Sequence, residues 1–169
     1  VAGARGFAIG GNVTPGGVSN KIDYITIPSA GNAVDFGNMI GSGLFASAGM
    51  SSRTRAVISG GRQTPSNTSD IQYITMASTG DAVDWGANPL NSLSYGSGAV
   101  SNQTRGITMG GYNTSNSTLT DIQYLTIASL GTINDFGNIS ANRGYISSVN
   151  SSTRGLCNGG SQPAQVNTI

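Results

Sequence analysis

A chain of 169 residues is long enough for one domain of ordinary size with a sizeable core. Only 9% of its residues are charged, against about 25% in an average soluble domain, while glycine takes 26 positions and the mean hydropathy is −0.08. Helical bundles need Glu, Lys, Leu and Ala in quantity, a net charge of +1 exerts no long-range pull on nucleic acid, and no apolar run approaches the roughly 18 residues of a membrane-spanning helix.

In chain order, the first segment with a strand pattern runs from Ala4-Arg5-Gly6 to the doublet Gly10-Gly11. The same wording returns as Thr54-Arg55-Ala56 to Gly60-Gly61, Thr104-Arg105-Gly106 to Gly110-Gly111, and Thr153-Arg154-Gly155 to Gly159-Gly160. The arginines at 5, 55, 105 and 154 therefore recur every 50, 50 and 49 residues. A second block follows each of the first three doublets: Ile22-Asp23-Tyr24, Ile71-Gln72-Tyr73 and Ile122-Gln123-Tyr124. A third block, Asp35-Phe36-Gly37, Asp84-Trp85-Gly86 and Asp135-Phe136-Gly137, closes each unit. Three blocks in a constant order establish a tandem repeat.

Each unit reads as four short strands. A weak strand of small residues (Leu44 to Met50, for example) precedes the Arg strand, and the Tyr and Asp-aromatic-Gly blocks supply the third and fourth. In the Tyr block Ile71, Tyr73 and Thr75 point one way and Gln72, Ile74 and Met76 the other, so apolar groups lie on both faces. That pattern belongs to a sheet covered on both sides. A unit of this size cannot bury both faces alone and must stack on copies of itself. A period near 50 favours the four-stranded blade of a β-propeller over a solenoid coil, which has a shorter period.

Chemistry-bearing side chains are few. Without histidine there is no zinc site and no Cys–His nucleophile, and Cys157 reads as a small buried residue. The doublets are not a phosphate loop, because the one lysine, Lys21, does not follow any of them. They read as turns that only glycine enters without steric cost. Asp81 is an acid outside the repeat pattern, but a lone carboxylate makes a poor acid–base pair. Neither cofactor nor metal is expected, and the chain reads as non-enzymatic. Arg5, Arg55, Arg105 and Arg154 can line a channel for an anion, but residues present in every unit serve folding first. Each arginine is expected to bridge to a recurrent aspartate (Asp35, Asp84, Asp135) or to turn carbonyls. Phe36, Trp85 and Phe136, with the repeated tyrosines, are expected in the core. Non-repeated residues are the better candidates for exposed contact: Tyr95, Tyr112 and Tyr145, with Arg62 and Asn113. Contacts are expected in the divergent loops 12–21, 62–70 and 112–121, where Arg62 and Tyr112 sit just beyond the doublets.

A glycine doublet closing the second strand, a tyrosine in the third and Trp or Phe in the fourth resemble a kelch repeat. The fuller wording, Thr-Arg-Gly-x-x-x-Gly-Gly followed by Asp-x-x-Tyr-Ile-Thr-Ile-x-Ser-x-Gly-x-Ala-x-Asp-Phe-Gly, is similar to tandem repeats of virion structural and tail-fibre-like proteins of marine tailed phages, cyanophages especially. The resemblance implies an all-β, kelch-like propeller segment displayed at a virion surface, outside the cell. Its blades would run over 1–43 (partial), 44–91, 92–141 and 142–169, the last one incomplete. Val166 to Ile169 repeat the approach to the Tyr block seen at Val18 to Ile22, so the chain is expected to be a piece of a longer one. Implied partners are other virion proteins or further blades, a host-surface glycan or protein, or further copies of the chain, but neither nucleic acid nor membrane interior. The alternative reading is a lectin-like propeller domain of a secreted bacterial protein that binds glycan.

Overall fold

A computed structural model of the chain describes residues 4–63 and 65–162; the segment 166–169 compared above lies outside them. The protein is all-β, built of small antiparallel sheets, none of them closed. The first sheet holds β1 (Arg5–Ile9), β2 (Lys21–Thr26) and β3 (Val34–Asn38). The second is a four-stranded meander of β4 (Ala48–Ser51), β5 (Arg55–Arg62), β6 (Asn67–Thr75) and β7 (Val83–Asp84). After a single 3-10 turn at Leu90–Ser92 comes β8 (Leu93–Tyr95). The third main sheet is β9 (Gly98–Ser101), β10 (Arg105–Met109), β12 (Asp121–Thr126) and β13 (Asn134–Asn138), with β11 (Tyr112–Asn113) leaving it to pair with β8. The last is the hairpin of β14 (Ser147–Asn150) and β15 (Gly155–Asn158).

The repeat in sequence is a repeat in register. Phe7, Val57 and Ile107 lie opposite Tyr24, Tyr73 and Tyr124 on the neighbouring strand. Two elements differ from the sequence reading. The first strand of each unit starts later than expected, because Ala46, Gly96 and Tyr145, at equivalent places, take φ of 55, 67 and 53° and break the extended chain. The Asp-Trp-Gly strand is cut to Val83–Asp84, where Asp84 Oδ1 accepts the Gly86 N–H (3.0 Å). Asp135 makes the same turn with Gly137 (3.1 Å) but remains within a strand.

Three apolar clusters fill the junctions between successive sheets. Phe36, Met39 and Ile22 of the first sheet meet Ile58, Ile74 and Met76 of the second. On the opposite face of the second sheet, Met50, Val57, Ile71 and Trp85 meet Leu125, Ile127 and Ile133. Val100, Met109 and Ile139 then meet Ile146, with Cys157 half-buried at the edge. Both faces of β6 are thus buried, as its double apolar pattern requires.

Polar links cross the same junctions. The buried Gln72 receives the Ile40 N–H at its Oε1 (2.8 Å) and donates to the Ile40 carbonyl; Gln123 treats Leu90 identically, at 2.8 Å both ways. Asp81 accepts the Asn38 N–H (2.8 Å), so the off-pattern acid caps the outer strand of the preceding sheet. Along β4, β9 and β14, edge groups are met by side chains of the next unit: Ser51 N–H by Ser101 Oγ (3.0 Å) and Ala99 N–H by Ser148 Oγ (2.9 Å). An edge satisfied this way is closed to stray strands. At the doublets the incoming backbone of the next unit lies against the first glycine. Gly60 has φ +59°, and a Cβ there would overlap the Ser94 carbonyl.

Position within the array should therefore decide the cost of losing a repeated aromatic. Trp85 is 2% exposed and the equivalent Phe136 53%. Trp85→Ala is expected to cost about 3–5 kcal/mol and Phe136→Ala under about 1 kcal/mol, as read from the urea midpoint of each variant. Equal losses would mean that the two sites are equally covered.

Candidate functional site

The recurrent arginines do not pair with the recurrent aspartates. Among the described residues the one ion pair is Lys21 with Asp35, at 4.0 Å and largely exposed. Each arginine instead lies over the tyrosine of its own sheet: Arg5 over Tyr24 (4.6 Å), Arg55 over Tyr73 (4.8 Å) and Arg105 over Tyr124 (4.8 Å). Each tyrosine in turn meets Phe36, Trp85 or Phe136 edge to face at about 6 Å. Arg5 reaches across the junction to the Met76 carbonyl, and Arg55 to the carbonyls of Ile127 and Ala128 (3.0 Å each). These guanidiniums are struts from one sheet to the next. Arg154 is exposed at the start of β15.

Four of the five residues singled out for contact, Arg62, Tyr95, Tyr112 and Tyr145, come together with one that the sequence did not single out, Phe45. The residue after each of the last three doublets forms a backbone bridge with the segment that enters its own unit. Phe45 pairs with Arg62, Tyr95 with Tyr112, and Gly144 with Ser161. Successive bridges stack their side chains. The Arg62 guanidinium lies 5.9 Å from the Phe45 ring and 5.5 Å from that of Tyr95. Tyr95 and Tyr112 are parallel, 4.8 Å apart with 8° between planes, and Tyr145 closes on Tyr112 at 5.4 Å and 59°. The result is a ladder of planar groups, Phe45, Arg62, Tyr95, Tyr112 and Tyr145, spanning three units. Gly144 makes room for it, because a Cβ there would enter the Tyr112 ring.

Exposure grades the ladder. Tyr95 is buried at its centre, Phe45 and Tyr112 are half-buried, and Arg62 and Tyr145 are open to solvent. Asn116, in the left-handed region at φ 63°, accepts from the Tyr95 hydroxyl (2.8 Å) and from Asn67 Nδ2 (3.0 Å), tying the second unit to the third. Asn113 stands apart from the ring stack. Its Oδ1 accepts the N–H groups of Ser115 (3.0 Å) and Ser117 (2.9 Å) and so builds the loop that presents Asn116. Phe45 and Asn116 carry no motif, and only contacts between residues distant along the chain reveal them. What the ladder can do is bind: it offers aromatic faces, a cation and amide groups, but no poised nucleophile or base.

No protein-family model matches the chain, and no curated protein sequence matches it either.

Burial, reinforced by Tyr145 and Tyr112 and partly opposed by Arg62, raises the Tyr95 hydroxyl above the usual phenol value. A folded pKa above the unfolded one, roughly 10, means that this stability is fully present below the unfolded value and lost as pH rises through the folded one. Tyr95→Phe is expected to remove a step above the usual phenol range from the tyrosinate absorbance curve and to soften the alkaline loss of stability. An unchanged curve would assign that step to another tyrosine.

Proposed function

We propose that the chain is a non-enzymatic interaction module: a segment of kelch-like β-propeller blades in an extracellular phage virion appendage, a tail fibre or surface decoration, serving host-surface contact or particle assembly. The architectural part is supported by antiparallel meanders stacked face to face, with β4, β9 and β14 adjacent along one line. The virion part rests on the wording of the repeat. A single observation carries the contact role: the planar ladder from Phe45 to Tyr145 emerges where the invariant doublets give way to loops that differ between units. Scaffolds commonly hold recognition residues in this way, on loops fixed by a rigid sheet.

The partner chemistry that fits best is a cell-surface glycan. Aromatic faces accept the apolar C–H face of a sugar ring, while a guanidinium and carboxamides answer its hydroxyls. The solvent-open Tyr145, beside half-buried Tyr112, is the natural platform. The same observation favours the second reading, a lectin-like propeller domain of a secreted bacterial protein, which uses the same site in a different parent.

The test is binding of the purified chain to a glycan array and to intact bacterial cells. Ala46 adopts φ 55° at the place equivalent to Tyr145, so alanine fits that backbone. Tyr145→Ala and Arg62→Ala are each expected to weaken binding by about 5- to 30-fold, the range of a contact residue worth 1–2 kcal/mol. Binding that survives both substitutions intact would remove the ladder from the contact surface.

A further inference from the structure

The junction between the first and second sheets departs from the repeat in two ways, and both departures open the same place. Gln72 holds the backbone of Ile40 there, as Gln123 holds that of Leu90 at the second junction. The residue that follows is therefore equivalent in the two, and both take the left-handed region: Gly41 at φ 82° and Asn91 at φ 53°. At the second junction the Asn91 side chain donates from Nδ2 to Oδ1 of Asp121, which stands two residues before Gln123. Asp70 stands two residues before Gln72, but Gly41 has no side chain to reach it. The atom nearest to a Cβ at Gly41 is Gln63 Nε2, 3.8 Å away. Among the described residues nothing donates to the Asp70 carboxylate or pairs with it.

The second departure is the short β7. In the first and third sheets the outer strand runs on, setting Asn38 opposite Lys21 and Asn138 opposite Asp121. In the second sheet the pairing stops at Gln72 with Asp84, so no strand lies beside Asp70 on that side. Together the two departures leave a cleft of about 570 Å³, a volume in the range of small-molecule sites. Asp70 and Asp84 line it with carboxylates, Gln63 and Asn88 with carboxamides, and Ile40 and Ala87 with apolar surface. Ile40 is 47% exposed there. Both walls belong to sheets that meet inside the array, and the next junction shows the same place filled.

We propose that this cleft binds an acetamido group, as carried by an N-acetylated sugar, with the amide N–H donated to Asp70 as Asn91 donates to Asp121. The second junction sets the chemistry: a neutral amide donor lying on a carboxylate. An acetamido group brings the same donor on a planar unit of similar size, and its methyl suits the apolar Ile40 and Ala87. The ring hydroxyls are left to Asp84, which accepts, and to Gln63 and Asn88, which accept and donate. A hydrogen bond to an ionised carboxylate is stronger than one between neutral groups, so Asp70 fixes the orientation. A plain hexose lacks the amide donor and leaves Ile40 uncovered. The cleft shares no residue with the ladder, so this inference stands apart from what the ladder binds.

An NMR titration of the 169-residue chain, read amide by amide, tests it with N-acetylglucosamine, glucose and glucosamine. N-acetylglucosamine is expected to move the amides of Gly41, Asp70 and Gly86 saturably, and glucose to bind at least about 10-fold more weakly. Gly41→Asn supplies the carboxamide of the second junction, on a backbone that asparagine already accepts there. It is expected to abolish these shifts while the rest of the spectrum stays that of the folded chain. Asp70→Asn is expected to weaken binding by about 10-fold. The proposal is overturned by the absence of saturable shifts in the wild type, by glucose binding as well, by glucosamine binding more tightly, or by shifts that survive Gly41→Asn. Shifts confined to Tyr112 and Tyr145 would overturn it too, and would give the sugar to the ladder. Because the responding amides name the site, failure of this reading and failure of the ladder reading are told apart.

Discussion

Everything in this structure depends on sheets that cannot cover themselves. A four-stranded sheet of about 50 residues with apolar groups on both faces exposes too much hydrocarbon to offset the entropy of ordering its chain. The second sheet escapes because Ile74 and Met76 press on the first while Val57, Ile71 and Trp85 press on the third. Stability is therefore a property of junctions, and a unit is only as stable as its neighbours allow. The same aromatic position is 3% exposed in Phe36, 2% in Trp85 and 53% in Phe136.

The scarcity of charge follows from the same constraint. Faces pressed together at each junction leave little room for solvated ions, and Arg5, Arg55 and Arg105 are held by rings, the first two also by carbonyls across the junction. A guanidinium over a tyrosine loses less on partial burial than an ammonium would, because it is weakly hydrated and can stack while donating sideways. That combination suits Arg5 and Arg55, which sit on Tyr24 and Tyr73 and bond across the junction. The aspartates of the repeat are engaged elsewhere. Asp84 and Asp135 accept the N–H two residues on, an interaction set by local sequence alone.

This contrast marks what the sequence made legible. The period, the four strands of the second and third units, the doublet turns and the inward Phe36 and Trp85 were readable because each depends on alternation or on residues a few positions apart; Phe136, expected in the core with them, is 53% exposed. Tyr95, Tyr112, Tyr145 and Arg62 stood out as residues outside the repeat. The Arg–Asp pairing was misjudged as the equal of the carbonyl bridges because spacing along the chain does not tell which face an ion occupies. Gln72 and Gln123 were passed over for a similar reason: each clamps the backbone of the preceding unit, 32 and 33 residues away, and nothing in the local wording signals it. The ladder itself was hidden because Phe45 carries no motif and because Gly144, not Tyr145, holds the place of Phe45 and Tyr95 ahead of the Arg strand. It was hidden also because its members alternate between the ends of two different strands.

The location of that ladder explains how one scaffold can hold so variable a surface. Phe45–Arg62, Tyr95–Tyr112 and Gly144–Ser161 are bridges made of backbone groups alone, at 2.7 and 3.1 Å in the first and 3.0 and 2.7 Å in the last. The hydrogen bonds that fix the geometry put no demand on the side chains, so phenylalanine, arginine, tyrosine, glycine and serine all occupy equivalent positions. The first three doublets cannot vary in this way, since Gly10, Gly60 and Gly110 lie against the incoming chain. Invariant backbone geometry and free side-chain choice thus meet within a few residues, as at Gly110-Gly111-Tyr112. A surface assembled there can change its chemistry without disturbing the junctions that hold the fold together.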